Sequence, residues 1–319
     1  MDPTDLDHML DPEMRPIVAR MRERMAVRVP MTAITPPEMR ERASQDFAVW
    51  NIDPPPLPEV RDLMIEGAPA PLRARLYVPE GASTGLLVHF HGGGWIIGDI
   101  DFEDRACRSV ARESGVKVLS VDYRLAPETL FPGPVEDCAR AIRWARANAD
   151  ALGVSADKIA VGGASAGANL ALAAALKLRD DGDPPVAFLA LLYGVFAMRT
   201  ETESYRLYGQ GQYGLGAAAL DFFMAQYLND AAARSHPYAS PLLADLRGLP
   251  GAFIVIAGMD PLRDDSRELA AALRAAGAPV EVREYEGVIH GFTQFALASA
   301  QGRQALEDTA RALKTALAA

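Results

Sequence analysis

Cysteine is scarce in this chain, since the 319 residues contain only Cys107 and Cys138. Both fall in segments with a helical pattern, and two cysteines in a chain of this length do not make a disulfide framework. We expect two buried thiols in a reducing compartment, and therefore a cytoplasmic protein. Histidine is also scarce, and no Cys/His cluster has metal-site spacing. His89 and His91 share one face of a strand but lack a third ligand, so we predict no bound metal.

Long apolar runs and runs of basic residues are also missing. The first seven residues, Met1 to Asp7, are acidic and contain no apolar stretch, so we expect neither a signal peptide nor a transmembrane span. The formal net charge is −10. Such a surface does not favour nucleic acid or anionic membranes, and we expect neither as a partner.

Apolar residues, in contrast, make up 50% of the chain, enough for the core of one large α/β domain. Apolar strand-like segments alternate with helical ones, which predicts a mostly parallel eight-stranded sheet with helices on both faces. The first two strands precede the alternation and resemble an antiparallel pair. The predicted strands are 60–66, 73–78, 85–91, 116–121, 159–163, 187–193, 252–258 and 280–285. The predicted helices among them are 102–114, 134–149, 166–179, 262–276 and 300–318.

Two regions fall outside this alternation. Residues 11–50 have apolar residues at helical spacing, and residues 196–236 interrupt the order between two core strands. We predict that 1–52 and 196–236 form a helical cap, and that 53–195 and 237–319 form the core. Aromatic side chains in the predicted cap suit pocket lining and ordinary core packing equally: Phe47, Trp50, Tyr208, Tyr213, Phe222 and Phe223.

The stretch from Gly163 to Gly167 reads G-x-S-x-G and lies between a predicted strand and a predicted helix. In that setting the pattern is typical of a nucleophile elbow, a tight turn that exposes its central serine at the edge of a sheet. Ser165 is therefore our candidate nucleophile. By itself the pattern would also suit a small-residue turn that lets a helix pack closely on a strand.

A second glycine-rich segment, His91-Gly92-Gly93-Gly94-Trp95, follows the predicted strand 85–91. Consecutive glycines allow backbone N–H groups to point at a ligand without interference from side chains. We predict an oxyanion hole formed by the N–H groups of Gly93, Gly94 and Ala166. A flexible loop would fit the same composition. A phosphate-binding loop would require Lys and Ser or Thr after the glycines, and Trp95 and the residues after it supply neither.

A general base and an acid are expected after the nucleophile in chain order. His290 follows the last predicted strand, and we prefer it to His236, which precedes the acid candidate. Asp260 directly follows the strand 252–258 and is the predicted acid. It would also suit a helix N-cap, because Pro261 opens the next helix. We expect Asp264 and Asp265, a turn into that helix, to be solvated or to stabilise the helix dipole.

Taken together, these motifs resemble the hormone-sensitive-lipase family of α/β-hydrolase esterases. The resemblance runs from about residue 60 to the C-terminus. It rests on the segments 91–95, 122–128 and 163–167, on Asp260-Pro261-Leu262 and on His290-Gly291-Phe292. The resemblance implies an α/β-hydrolase fold with a cap, and a carboxylesterase that acts on small-molecule esters of short to medium acyl chains without a cofactor. One position departs from the pattern, because Ala164 stands where the family usually has Asp or Thr.

The expected mechanism is acyl transfer through Ser165, with His290 as the base and Asp260 as its partner. A lactonase or an amidase would use the same three residues. A non-catalytic small-molecule receptor on this fold is a further alternative, although such a protein typically lacks the histidine. We expect Asp122, Arg124 and Glu128 to form buried charge pairs beneath the glycine loop. A homodimer is suggested by analogy alone.

Overall fold

The computed structural model describes residues 6–318, apart from the side chain of Thr32. Residues 1–5 and 319, which belong to the predicted cap and core ranges, lie outside the described residues. The strands are β1 (Glu59–Ile65), β2 (Leu72–Val78), β3 (Leu86–Phe90), β4 (Lys117–Val121), β5 (Ile159–Ala164), β6 (Phe188–Leu192), β7 (Ala252–Met259) and β8 (Val280–Ile289). The α-helices are α1 (Met14–Val27), α2 (Pro36–Ala48), α3 (Asp104–Ser114), α4 (Gly133–Ala147), α5 (Ala149–Leu152), α6 (Ala166–Asp180), α7 (Glu203–Tyr208), α8 (Ala217–Tyr227), α9 (Arg263–Ala275) and α10 (Ala300–Leu317).

The strands form one sheet in the order β1-β2-β4-β3-β5-β6-β7-β8. The pairs β1–β2 and β2–β4 are antiparallel, and all the other pairs are parallel. Helices α4, α6 and α9 share one apolar cluster on one face, whereas α3 and α10 pack against the other. The predicted fold class, a mostly parallel eight-stranded sheet covered on both faces, is confirmed.

The central strands are apolar at most positions, with His89 of β3 and Lys117 and Ser120 of β4 as exceptions, because helices cover both of their faces. Every residue of β3, β5 and β7 is buried. Alternating polar residues survive on β1 and β2, whose outer positions face water. Full burial at the centre explains why these strands read as continuous apolar runs rather than as an alternating pattern.

Strand β8 continues four residues beyond the predicted end at Tyr285. Its pairing with β7 is irregular between Ala257 and Met259, and it resumes where Met259 faces Ile289. Gly287 adopts φ +72° in this irregular stretch, a conformation that glycine tolerates without strain. The resumed pairing sets the residues that follow Met259 and Ile289, namely Asp260 and His290, side by side.

The N-terminal helices and the segment 196–236 contact each other. Arg22 of α1 donates from Nε to the carbonyl of Gln212 at 3.0 Å, and it forms an ion pair with Asp7. Helix α1 also packs on the core, with Met14 and Ile17 in one apolar cluster with residues of β7 and β8. These contacts describe where the two segments lie, and their assignment as a cap stays a prediction.

Candidate active site

Ser165 occupies the turn between β5 and α6 in a strained backbone conformation, φ 54° and ψ −119°. A non-glycine residue rarely adopts a positive φ, and such strain is often found at functional sites. The flanking glycines are required by close packing. A Cβ on Gly163 would lie 2.2 Å from the carbonyl oxygen of Phe90, and a Cβ on Gly167 would lie 1.9 Å from the same atom. The sequence of small residues therefore permits the turn that exposes the Ser165 hydroxyl.

The side chains of Ser165, His290 and Asp260 form one hydrogen-bonded chain. His290 Nε2 lies 2.9 Å from Ser165 Oγ, and His290 Nδ1 lies 2.7 Å from Asp260 Oδ2. The carboxylate can only accept, so Nδ1 carries the hydrogen and Nε2 is free to accept from the serine. The arrangement suits proton removal from Ser165.

Asp260 serves two partners at once. It is buried, and its other oxygen accepts the backbone N–H of Leu262 at 2.9 Å. The N-cap position of α9 is Leu262, and no side chain caps the helix, so the helix-cap role considered for Asp260 was wrong. His236 lies elsewhere, where it accepts the N–H of Tyr238 and packs against Phe131.

Tyr193 was not identified from the sequence. It follows β6 directly, and its backbone φ is +36°. Its ring meets the His290 ring edge-on, with centroids 5.2 Å apart, and its hydroxyl is hydrogen-bonded to Thr293. Burial raises the pKa of Tyr193, so it stays neutral at physiological pH. The ring therefore supports the imidazole laterally. A tyrosine at the end of a buried strand carries no signal of this role.

The glycine loop lies against the nucleophile. A Cβ on Gly92 would lie 3.5 Å from Ser165 Cβ. Gly93 adopts φ +119° and Gly94 φ +59°. A Cβ on Gly93 would lie 2.1 Å from the carbonyl oxygen of Ile97, and one on Gly94 would lie 2.7 Å from the Phe223 ring. Both positions therefore exclude larger residues.

Three groups orient the peptide planes of this loop. The Tyr123 hydroxyl donates to the carbonyl of His91 at 2.8 Å, and the N–H of Gly92 donates to Glu103 at 3.1 Å. His91 Nδ1 lies 2.7 Å from the carbonyl of Gly92, so Nδ1 must carry the hydrogen. In a trans peptide the N–H points opposite to the C=O. Fixing the Gly92 carbonyl therefore also directs the N–H of Gly93.

Ala166 is the first residue of α6. A residue at this position has no intrahelical acceptor for its N–H, and it lies at the positive end of the helix dipole. The glycine loop and the N-terminus of α6 both lie next to Ser165, and the assignment of Gly93, Gly94 and Ala166 as oxyanion donors stays a prediction.

Glu103 and His89 are buried beside the site, and sequence reasoning gave Glu103 no role. His89 Nε2 lies 2.7 Å from Glu103 Oε2. Burial opposes the charge on Glu103, but His89 and the Gly92 N–H outweigh it and hold the pKa of Glu103 below its usual value. Burial also opposes the charge on His89, yet Cys107 and Glu103 raise the pKa of His89 to about 10. The two side chains therefore form an ion pair at neutral pH.

The expectation of buried charge pairs at Asp122, Arg124 and Glu128 was wrong in part. Arg124 pairs with the buried Asp137 of α4 at 2.7 Å, but Glu128 has an exposed side chain and pairs with Arg40 of α2. The loop is therefore braced from α4 and α2.

The sequence suggested that Asp265 is solvated, but the structure shows it fully buried. It accepts the backbone N–H groups of Phe196 and Ala197. The chain after β6 folds back onto α9, which the position of Asp265 in the sequence cannot reveal.

Within residues 6–318 no group of three or more His, Cys, Asp or Glu side chains is arranged to hold a metal ion. The same part of the chain contains no helix that is both long and apolar enough to cross a membrane. Cys107 and Cys138 are free and buried, as expected.

Comparisons with known proteins agree with the fold described above and with one another. Residues 87–294 match a family model described as the alpha/beta hydrolase fold. A carboxylic ester hydrolase of Mycobacterium tuberculosis is 43% identical over 242 residues, which are 73% of this chain and 64% of that protein. An arylesterase of Saccharolobus solfataricus is 37% identical over 80% of this chain and 83% of its own length. The solved structure of a hyperthermophilic esterase from the archaeon Pyrobaculum calidifontis superimposes with a TM-score of 0.92 at 36% identity, covering 97% of this chain and 99% of that one.

Proposed function

The chain belongs to the alpha/beta-hydrolase-fold family, and we propose that it is a serine carboxylesterase. The observation that carries the proposal is the continuous hydrogen-bonded chain from Ser165 Oγ through His290 to the buried Asp260. In this arrangement His290 can act as the base for Ser165. The Asp260 carboxylate fixes the tautomer of His290 and stabilises its protonated form. The relatives, a carboxylic ester hydrolase and an arylesterase, support the same chemistry.

The first step is acylation. His290 Nε2 takes the proton of Ser165 as Oγ attacks the ester carbonyl, and the carbonyl oxygen becomes an oxyanion. The N–H groups of Gly93, Gly94 and Ala166 are the proposed donors to that oxygen. One such donor typically lowers the barrier by roughly 3–4 kcal/mol. The intermediate then collapses, His290 gives its proton to the departing alcohol, and the acyl group remains on Ser165.

The second step is hydrolysis of the acyl-enzyme. Water loses a proton to His290 and attacks the acyl carbon, and the same donors hold the second oxyanion. Collapse releases the carboxylic acid and returns the proton to Ser165. Both reaction steps use only side chains, backbone N–H groups and water.

We propose short- to medium-chain acyl esters as substrates, with 1–52 and 196–236 as the cap above the site. Phe223 supports this arrangement, because its ring lies against the position of Gly94. Phe47 and Trp50 support it as well, since both rings pack against Phe295, just after His290. A homodimer and a cytoplasmic location stay predictions.

Replacing Ser165 with alanine tests the assignment. We expect hydrolysis of p-nitrophenyl butyrate to fall by at least about 10⁴-fold, because the nucleophile is lost. The unfolding temperature should stay within a few degrees of the wild type. The measurement is steady-state release of p-nitrophenol, together with covalent labelling by a fluorophosphonate probe and mass spectrometry of the labelled peptide.

Ser266→Ala is the matched control. Ser266 is buried, and its hydroxyl has no hydrogen-bond partner among the described residues, so its loss should leave hydrolysis and labelling unchanged. Substantial hydrolysis by Ser165→Ala, or labelling of a residue other than Ser165, would contradict the proposed nucleophile. A panel of butyrate esters, lactones and anilides compared by kcat/KM should show the esters as the preferred class.

A further inference from the structure

A buried ion pair lies directly behind the glycine loop, outside the chain of Ser165, His290 and Asp260. Glu103 is 4% exposed and His89 is 8% exposed. Removing two charges from water is costly, and replacing such a pair by apolar residues is often neutral or stabilising. The pair therefore calls for an explanation other than stability.

Both oxygens of the Glu103 carboxylate are occupied. Oε2 receives the bond from His89, and Oε1 accepts the N–H of Gly92 at 3.1 Å and the side-chain amide of Gln294 at 3.4 Å. Gln294 lies four residues after His290. Glu103 thus connects the glycine loop to the segment that carries the base.

The bond to Gly92 has a geometric consequence. Glu103 holds the N–H end of the peptide group between His91 and Gly92, and Tyr123 holds the carbonyl end at 2.8 Å. A peptide group is planar, so two bonds at opposite ends fix its orientation. Gly93 follows at the next peptide group. Glycines restrain their own backbone poorly, and an external acceptor replaces the restraint that side chains would give.

Ala164 provides the second observation. It lines a cavity of about 20 Å³ together with Glu103, His89 and Thr293, a volume close to that of one water. A Cβ on Gly92 would lie 3.1 Å from the carbonyl oxygen of Ala164 and 3.2 Å from Glu103 Oε1. The residue before the nucleophile is thus next to the loop but has no polar side chain to offer it. Among residues 6–318, Glu103 is the one carboxylate hydrogen-bonded to the glycine loop.

We propose that Glu103, held by His89, is a positioning residue for the oxyanion hole. It anchors Gly92 and so keeps the N–H groups of Gly93 and Gly94 directed at the developing oxyanion. This inference rests on the proposed esterase function and adds a role that Ala164 cannot fill. Glu103 touches no reacting atom, and its effect passes through the loop.

Two substitutions weaken the hydrogen bond between the Gly92 N–H and Glu103 to different extents. Glu103→Leu removes the acceptor, and we expect kcat for p-nitrophenyl butyrate to fall by about 50-fold, with KM within about 3-fold of the wild type. Glu103→Gln keeps an oxygen for the Gly92 N–H but as a neutral, weaker acceptor, and we expect kcat to fall by about 5-fold. Activity should decrease from the wild type to Glu103→Gln and decrease further to Glu103→Leu.

The readout specific to the oxyanion is affinity for an alkyl trifluoromethyl ketone. Ser165 adds reversibly to its carbonyl carbon, and the carbonyl oxygen then carries the negative charge that the donors bind. We expect inhibition to weaken in each variant by about the same factor as kcat/KM. A role confined to stability would leave both quantities near the wild-type values in the folded fraction.

Thr309→Val is the control. Thr309 lines the same cavity, but its hydroxyl bonds within its own helix, to the carbonyl of Ala305 at 2.7 Å. We expect its kcat and inhibitor affinity to stay within about 2-fold of the wild type. Thermal unfolding of all variants is measured alongside.

Wild-type kcat and wild-type inhibitor affinity in Glu103→Leu would overturn the inference. If Glu103→Leu does not fold, Glu103→Gln decides, and unchanged kcat and inhibition there would equally overturn it. A wild-type protein that does not hydrolyse esters would contradict the proposed function and this inference together. If the wild type hydrolyses esters and substitution of Glu103 changes neither kcat nor inhibitor affinity, only this inference would be contradicted.

Discussion

Gly167 is the residue for which the structure leaves the least room. A Cβ there would lie 1.9 Å from the carbonyl oxygen of Phe90 and 2.6 Å from that of His91. The first atom belongs to the last residue of β3 and the second to the first residue of the glycine loop, so neither can move away without displacing that loop. Substitution at this position therefore affects packing and catalysis together.

We predict that Gly167→Ala lowers kcat/KM for p-nitrophenyl butyrate by more than about 100-fold and destabilises the protein by several kcal/mol. Urea unfolding and steady-state kinetics measure the two effects. Gly182→Ala is the comparison. Gly182 has φ +79° but no atom within 4 Å of a built Cβ, so only the backbone cost of about 1 kcal/mol applies. Equal behaviour of the two variants would refute the steric explanation.

The sequence revealed single residues best where chemistry imposes a local pattern. Ser165 was predictable because the elbow requires small residues on both sides of it, and His290 and Asp260 followed from chain order. Glu103 and Tyr193 were not predictable, because their roles arise from contacts with His91–Gly92 and with His290 that are distant in sequence. No local pattern distinguishes a buried glutamate at a helix start from an ordinary N-terminal acidic residue.

Helix α9 begins with two aspartates in opposite environments. Asp265 is fully buried, and burial raises its pKa from 3.8 to about 6 although Arg199 and two backbone N–H groups oppose this. Burial also acts against ionised Asp264, but the Ser204 N–H and Arg263 outweigh it and lower the pKa of Asp264. The two side chains should therefore change stability with pH in opposite directions.

The folded protein binds the Asp265 proton more tightly than the unfolded chain does. Its contribution to stability is complete below about pH 4 and is lost as pH rises through 6. We predict that the wild type loses about 2 kcal/mol relative to Asp265→Asn between pH 4 and pH 6.5. Asp264 contributes above about pH 4 and loses its contribution only as pH falls further, so Asp264→Asn should show no such change in this range. Urea unfolding at several pH values measures both, and a flat difference for Asp265→Asn would refute the prediction.

Strands and helices of the core were predictable within a few residues, because full burial and alternation leave an unambiguous pattern. The error at β8 has a specific cause. Residues 280–285 mix apolar and charged side chains, and Glu286 and Gly287 follow them, so the strand appeared to end at Tyr285, whereas pairing resumes at Ile289. A local irregularity of this kind depends on the partner strand, and the sequence of β8 alone cannot show it.

The N-terminal segment of the predicted cap could be a separate lid or a part of the core. Met14 of α1 is fully buried, in one cluster with Met259, Val288 and Phe292 around the segment that carries Asp260 and His290. The N–H of Asp11 also donates to the carbonyl of Gly287 in β8 at 2.9 Å. These contacts favour a single cooperative unit over a lid that detaches from the core.

We predict that Met14→Ala destabilises the whole protein by about 2–4 kcal/mol, because it opens a cavity against the core. Met25→Ala, in the same helix but at a side chain 51% exposed, should cost less than about 0.5 kcal/mol. Urea unfolding followed by both circular dichroism and tryptophan fluorescence should give one coincident transition, since Trp50 lies in the N-terminal segment and Trp95 and Trp144 lie in the core. If Met14→Ala left the midpoint of the main unfolding transition unchanged, α1 would unfold separately from the core. In that case the N-terminal segment would be a lid that opens independently of the fold, rather than a part of the structure that holds Asp260 and His290 in place.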